Sequence, residues 1–271
     1  MGVVISNSLV LSQAPGDAPN ADNPVVGWRN LVTVNNIVAD TADLSFPAIN
    51  LANPSTYLRW LGANTSEQYV TINHNAVDPI DYVGIAGHNF GSAQIPVSIE
   101  GDDGGGFDEL VSDSIPADDG PLLFRFVPQS LQSVRIRLQP GNAEPSAAVV
   151  YVGRLLVLPR RIYVGFRPLP FNRRANIVTG RSELGQFLGR IVLSQMTESQ
   201  ISMSNVLPTF YRSDIEPWLR DAVSRPFFFA WRPGDYPSEV GYCWASGDSQ
   251  MSNALANGMV SFSLDLQGVH Q

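Results

Sequence analysis

The residues able to do chemistry are few and scattered. Three histidines, His74, His88 and His270, lie far apart, and no two have the i, i+4 spacing that would put both imidazoles on one face of a metal site. The single cysteine, Cys243, sits in Tyr242-Cys243-Trp244, an apolar setting that reads as a buried thiol rather than a nucleophile. It also excludes an internal disulfide framework and a cysteine-rich zinc site. Gly180-Arg181-Ser182-Glu183-Leu184-Gly185 approximates a nucleophile elbow, but its second glycine falls one residue late and no strand-turn-helix pattern surrounds it. The neighbouring carboxylates Asp102 with Asp103 and Asp118 with Asp119 read as solvated loop charge. Residues 100–119 hold hard oxygen donors in no EF-hand spacing, which leaves calcium binding there an open question. Among those acids, Gly104 to Gly106 would repel phosphate rather than cradle it. No catalytic, cofactor-binding or metal-ligating residue is assigned, and the chain reads as a non-enzyme without cofactors.

Four residues remain as candidate ligand or partner contacts. His88 and Asn89 are expected on a glycine-bounded turn, where polar side chains can either shape the turn or line a pocket. Tyr57 and Arg59 would form an aromatic and guanidinium patch able to stack on sugar or anchor a partner. Trp60, on the opposite parity, is expected in the core.

Those residues must be positioned by short strands. Ile80 to Ala86 is apolar on both faces, whereas Ile95, Val97 and Ile99 alternate with Pro96, Ser98 and Glu100. The pattern predicts a buried strand, a Gly/Asn turn and a half-buried strand, a hairpin at the centre of a β-sandwich. Around it, strands are expected at Trp28–Val34, Tyr57–Trp60, Tyr69–Ile72, Leu122–Val127, Ser133–Leu138 and Val149–Leu158, divided by Gly, Pro, Asn and Asp. Residues 1–24 read as a strand and a Pro-rich arm whose pairing partner lies in the second domain or on a neighbouring subunit. Pro159-Arg160-Arg161 marks a boundary between a jelly roll over 25–159 and a second β-domain over 160–271. In the latter, Leu184–Val206 reads as two strands broken near Thr197–Ser199. A helix near 214–224 starts at a Ser213/Glu216 capping box and carries the stripe Ile215, Trp218, Leu219, Ala222 and Val223. Strands Phe227–Arg232, Glu239–Ala245 and Met259–Leu266 follow.

Composition narrows the partners. Only 15% of the 271 residues are charged, and all 17 basic residues are arginines. Arg is favoured at protein contacts and Lys on free surface, so the bias fits extensive protein contact; a GC-rich genome yields the same bias. Residues 1–150 hold 16 acids and 5 arginines, net -11, and residues 151–271 hold 9 acids and 12 arginines, net +3, giving the total of -8. An acidic chain lacks the basic footprint that nucleic acid or an anionic membrane demands. The N-terminus has no basic n-region, and the most apolar window, Ala147–Leu158, is too short to span a bilayer, so a soluble, cytoplasmically made protein without membrane insertion is expected.

Ala48-Ile49-Asn50-Leu51-Ala52-Asn53-Pro54 with Tyr57-Leu58-Arg59-Trp60, then Tyr69-Val70-Thr71-Ile72, Ile80 to Asn89 and Val134-Arg135-Ile136-Arg137-Leu138, resemble the galactose-binding-like, discoidin-type jelly roll, in the version found in tailed-bacteriophage tail proteins. Phe228-Phe229-Ala230-Trp231-Arg232-Pro233 and Tyr236-Pro237-Ser238-Glu239, with one helix between strands, are similar to the tube-like β-domain of phage distal tail or baseplate proteins. The resemblance implies a mainly β protein: a jelly-roll β-sandwich plus a tail-tube-like β-domain carrying one α-helix. It implies a structural subunit of a tail-tip ring in the virion, assembled in the bacterial cytoplasm. Its implied partners are copies of itself and other phage tail proteins such as tube, hub and fibres. A glycan-binding module for host adsorption is the alternative, and a hydrolase with an accessory sandwich the remotest. Discoidin ligand loops vary too widely for any sugar-binding residue to be carried over.

Overall fold

A computed structural model describes residues 2–9, 11, 20–74, 78–162, 165–247, 249–253 and 258–269. The first nine strands are β1 (Val3–Ile5), β2 (Val25–Gly27), β3 (Ile37–Ala39), β4 (Trp60–Leu61), β5 (Gln68–Asn73), β6 (Ile80–Ala86), β7 (Val97–Asp102), β8 (Phe107–Ser114) and β9 (Leu122–Gln129). Next come β10 (Ser133–Leu138), β11 (Ser146–Ala147), β12 (Val149–Gly153), β13 (Leu156–Val157), β14 (Arg173–Arg181) and β15 (Phe187–Val206). A helical stretch, α1, passes through Pro208–Phe210, a π-wound turn Tyr211–Ile215 and Glu216–Ala222. The chain then adds β16 (Phe227–Ala230), β17 (Val240–Ala245), β18 (Gln250–Ser252) and β19 (Val260–Val269). The protein is mainly β, as expected, with a β-sandwich followed by a second β-structure that carries the helix.

The strands stack in layers. An outer sheet, β3-β5-β10-β7-β8, packs on a middle sheet, β1-β9-β6-β12, through Val70, Ile72, Ile99 and Ile136 on one side and Val83, Ile85, Phe124 and Val150 on the other. The reverse face of the middle sheet, with Tyr82, Leu123 and Tyr151, packs on Phe228, Val240 and Tyr242 of a large sheet. That sheet runs β13-β2-β16-β17-β19-β15-β14, with β18 on β19, and its far face is covered by α1 through Ile215, Trp218 and Leu219. A strand covered on both faces reads as a continuous apolar run, which is why β6 shows no alternation. Two strands of the large sheet, β2 and β13, come from before residue 160.

Close approach of middle and large sheets depends on glycine. A Cβ on Gly84 of β6 would lie 2.7 Å from ring carbons of Phe228. Gly84→Ala should therefore cost about 1–3 kcal/mol by overpacking. Urea unfolding checks this, with Phe228→Leu expected to recover part of the loss and an unchanged midpoint counting against the tight contact.

Several sequence expectations are corrected. β6 and β7 lie in different sheets, so Ile80–Glu100 is an arch across the sandwich and not a hairpin. Its connection is held by Ile95 N–H donating to the Phe90 carbonyl at 2.9 Å and by a left-handed Gln94 (φ 52°). Residues 28–34 form no strand, because the Asn30 side-chain oxygen accepts from the N–H groups of Val32 and Val152 (3.0 and 3.1 Å) in place of a ladder. β4 is confined to Trp60–Leu61, and Val149–Leu158 is split into β12 and β13. The first strand, β1, pairs parallel with β9 inside the middle sheet, and Gly2 N–H donates to the Pro237 carbonyl at 2.9 Å. Most of the Pro-rich arm, residues 12–19, and His270 lie outside the described residues.

β15 is continuous through Thr197–Ser199; the turn falls at 182–186. The helix begins at Pro208, whose missing N–H is not needed at a first helical position. Ser213 therefore lies inside it, its hydroxyl donating to the Thr209 carbonyl at 3.0 Å rather than capping an N-terminus. Val223, expected in the apolar stripe, is 72% exposed just past the last turn.

Candidate functional site

The four candidate contacts line one cleft. It encloses about 560 Å³ between the 3-10 turn Ala48–Ala52, the 56–59 loop and the 87–89 start of the arch, with Phe46 and Ser146 completing the wall. Asn50 fixes the loop by donating its amide to the Arg59 carbonyl at 2.8 Å. The Arg59 guanidinium lies 4.9 Å over the Phe46 ring, and Tyr57 stands 91% exposed at the rim. Trp60 turns inward as expected, fully buried, with its Nε1–H donating to the Thr41 carbonyl at 2.9 Å.

Two of the four build the wall. His88 is 5% exposed and stacked on Phe90 at 4.7 Å. Its Nδ1 accepts from the Phe90 N–H at 3.2 Å, so Nε2 carries the proton and donates to the Gly120 carbonyl at 2.7 Å. Both ring nitrogens are spent on backbone. The Asn89 side chain accepts from Ser146 N–H and donates to the Glu144 carbonyl, each at 2.8 Å. Tyr57 and Arg59 are left as the groups that can meet a ligand, through a stacking face and a cation.

Burial pulls the His88 pKa down to about 4, against the opposing pull of the Gly120 carbonyl. The unfolded chain, titrating near 6.5, takes up the proton first, so stability is lost as pH falls from about 6.5 towards 4. Asp81 works in the opposite direction: burial raises its pKa to about 6, so the folded state gains stability as pH falls from about 6 to its unfolded value. The His88 contribution is isolated by comparing wild type with His88→Gln in urea at pH 7 and pH 4.5. The advantage of wild type should shrink by about 2 kcal/mol at the lower pH. A pH-independent gap would contradict the buried neutral imidazole.

The Gly180–Gly185 stretch is the turn between β14 and β15. Ser182 Oγ accepts from Gln186 N–H at 3.0 Å, and Gly185 is left-handed at φ 80°. Ser182 thus serves as a turn residue. Cys243 is buried, its thiol pushed well above the ordinary range by loss of solvent. In the acidic segment, an Asp102 side-chain oxygen accepts from Gly104 and Gly106 N–H at 2.7 and 3.0 Å and so shapes the β7–β8 turn. Among the described residues no cluster of three or more His, Cys, Asp or Glu side chains is arranged to hold a metal.

The most exposed apolar surface lies elsewhere, on the β14–β15 hairpin, which the sequence reading did not single out. Every residue of β14 except Ile177 is exposed, as are 187–195 of β15 apart from Gly189. Ile177 pairs with Val192 on one face and Val178 with Ile191 on the other. Two register shifts leave Leu188 and Leu193 as extra residues. Leu184, Phe187, Leu188, Ile191 and Leu193 are each at least 60% exposed. Over 187–195 this ribbon is about 30 Å long. From Thr197 onward the same strand alternates buried and exposed positions, as a strand of the large sheet should. The hairpin also carries Arg173, Arg174, Arg181 and Arg190 against the single acid Glu183.

No protein-family model and no curated protein matches this chain. Solved structures do. The chitosan-binding module 1 of a chitosanase/glucanase from Paenibacillus sp. IK-5 is 17% identical, covering 46% of this chain and 98% of that one at TM-score 0.41. A Clostridium perfringens protein solved with GalNAc-β-1,3-galactose is 14% identical over 46% of this chain and 99% of its own, TM-score 0.40. A family 32 carbohydrate-binding module from C. perfringens, in complex with galactose, is 12% identical over 49% and 99%, TM-score 0.40.

Proposed function

We propose that this chain is a non-catalytic structural subunit that self-assembles through its β14–β15 hairpin, in a phage tail tip of the kind its sequence resembles. The observation that carries the reading is the hairpin itself: two strands with apolar side chains on both faces and, among the described residues, no layer over them. Contiguous exposed apolar surface of this extent is expensive in water and marks an interaction site. Low charge and the all-arginine basic complement fit the same reading. A hairpin that docks on a different surface of the next copy makes a heterologous contact, which closes into a ring when the rotation permits. In this reading the protein resides in the virion tail after assembly in the bacterial cytoplasm, with tube, hub and fibre proteins as its further neighbours. The test replaces residues 178–191 with a two-residue turn and images both proteins by negative stain. Rings from the full chain and single particles from the shortened one are expected; rings from both would defeat the reading.

A second reading is favoured by the cleft beside Tyr57. An exposed aromatic next to a guanidinium is suited to stacking on a sugar ring while the guanidinium donates to its hydroxyls. The cleft carries this reading; the low similarity to carbohydrate-binding structures does not. If the cleft binds host glycan, Tyr57→Ala should lower the retained signal on a glycan array at least tenfold without changing stability. An array blank for wild type would dismiss it.

A further inference from the structure

We infer that the hairpin of one copy docks as an added strand on β8 of the next, β14 running antiparallel to β8. This rests on the self-assembly reading above and names the surface that receives the hairpin.

Both strands are open edges. Among the described residues β8 ends the outer sheet, paired with β7 on one side, and β14 ends the large sheet beyond β15. An uncovered edge presents a row of backbone donors and acceptors that a second strand can satisfy. The two are matched in length, Phe107–Ser114 and Arg173–Arg181. They are opposite in charge: β8 carries Asp108, Glu109 and Asp113, and none of these forms an ion pair among the described residues. Asp113 accepts only a neutral partner, the Gln139 amide at 3.1 Å.

Counted straight along both strands, across the two register shifts that β8 makes against β7, one antiparallel register brings three matched pairs together. With Leu110 opposite Ile177, the row continues to Val192 and is apolar throughout. Asp113 then faces Arg174, whose guanidinium at present reaches Glu198 at 2.9 Å. Asp108 faces Thr179, and Arg190 is the β15 residue paired with Thr179 on the same face. The rows through Leu110, Asp113 and Asp108 place apolar groups or unlike charges together, the arrangement that stabilises cross-strand pairs, whereas Glu109 faces Val178. Parallel pairing from the same ends would set Leu110 against Asn176 instead of Ile177. Because β14 and β8 are different surfaces, the contact is heterologous, as a ring requires.

The test is a charge exchange at two exposed positions, read by sedimentation of the full chain over a concentration series. Arg190→Glu and Asp108→Arg should each weaken self-association tenfold or more, and the chain carrying both should regain most of it. Ile177→Cys and Leu110→Cys proteins, mixed and oxidised, should give a linked dimer that neither gives alone; Cys243 is buried and does not compete. Assembly with no rescue and no mixed cross-link would overturn this pairing while leaving hairpin-mediated assembly standing. A chain monomeric at every concentration would overturn both.

Discussion

Serine at Phe187, Ile191 and Leu193 will leave the protein folded and stop it assembling. These side chains are 68%, 65% and 60% exposed and belong to none of the three buried clusters. Replacing them should move the unfolding midpoint little, since exposed substitutions away from structural features cost within about 0.5 kcal/mol. In an assembly through the hairpin the same side chains would be buried, each contributing about 1.5–3 kcal/mol of apolar burial. Losing all three removes on the order of 5 kcal/mol from the contact, a weakening of more than about a thousandfold. Light scattering and urea unfolding on one preparation separate the two effects. A variant that assembles as wild type does would show that the hairpin is not the contact, and one that unfolds would show that it belongs to the core.

Trp218→Ala will cost about 3–5 kcal/mol of folding stability. Trp218 is fully buried where α1 lies on the large sheet, edge-on to Phe227 at 5.4 Å and to Phe262 at 6.5 Å. Truncation empties the centre of that layer, and neither strand can collapse into the space without breaking its ladder. Trp218→Phe should cost far less, about 1 kcal/mol, because Trp218 Nε1 has no acceptor among the described residues and removing an unsatisfied donor offsets lost volume. Urea unfolding of the two variants decides it; equal losses would mean that packing around the ring is loose.

Much of this architecture is written locally. The double-faced apolar run of β6 announces burial on both sides, and Ile215, Trp218 and Leu219 announce a helix lying on a sheet. What local pattern does not carry is which sheet a strand joins. Residues 87–96 contain turn formers that serve an arch as well as a hairpin, and the choice is made by the distant partners β9, β12 and β10. Ser213 and Glu216 have capping-box spacing yet lie inside the helix, because Pro208, at a favoured first position, starts it earlier.

The candidate site was legible in part. Tyr57, Arg59, His88 and Asn89 do converge on one cleft, but the spending of His88 and Asn89 on backbone groups depends on Gly120, Glu144 and Ser146, which no spacing reveals. The hairpin was invisible for a related reason. Phe187, Leu188, Ile191, Val192 and Leu193 occupy both parities, the pattern of a buried strand, and they are surface because no described residue forms a layer over them.

The most direct measurement is the mass of the 271-residue chain by light scattering from nanomolar to high micromolar concentration. A rise from the 29.5 kDa monomer to a fixed multiple is predicted. A mass that stays at the monomer value throughout, with the hairpin intact, would contradict assembly through β14 and β15.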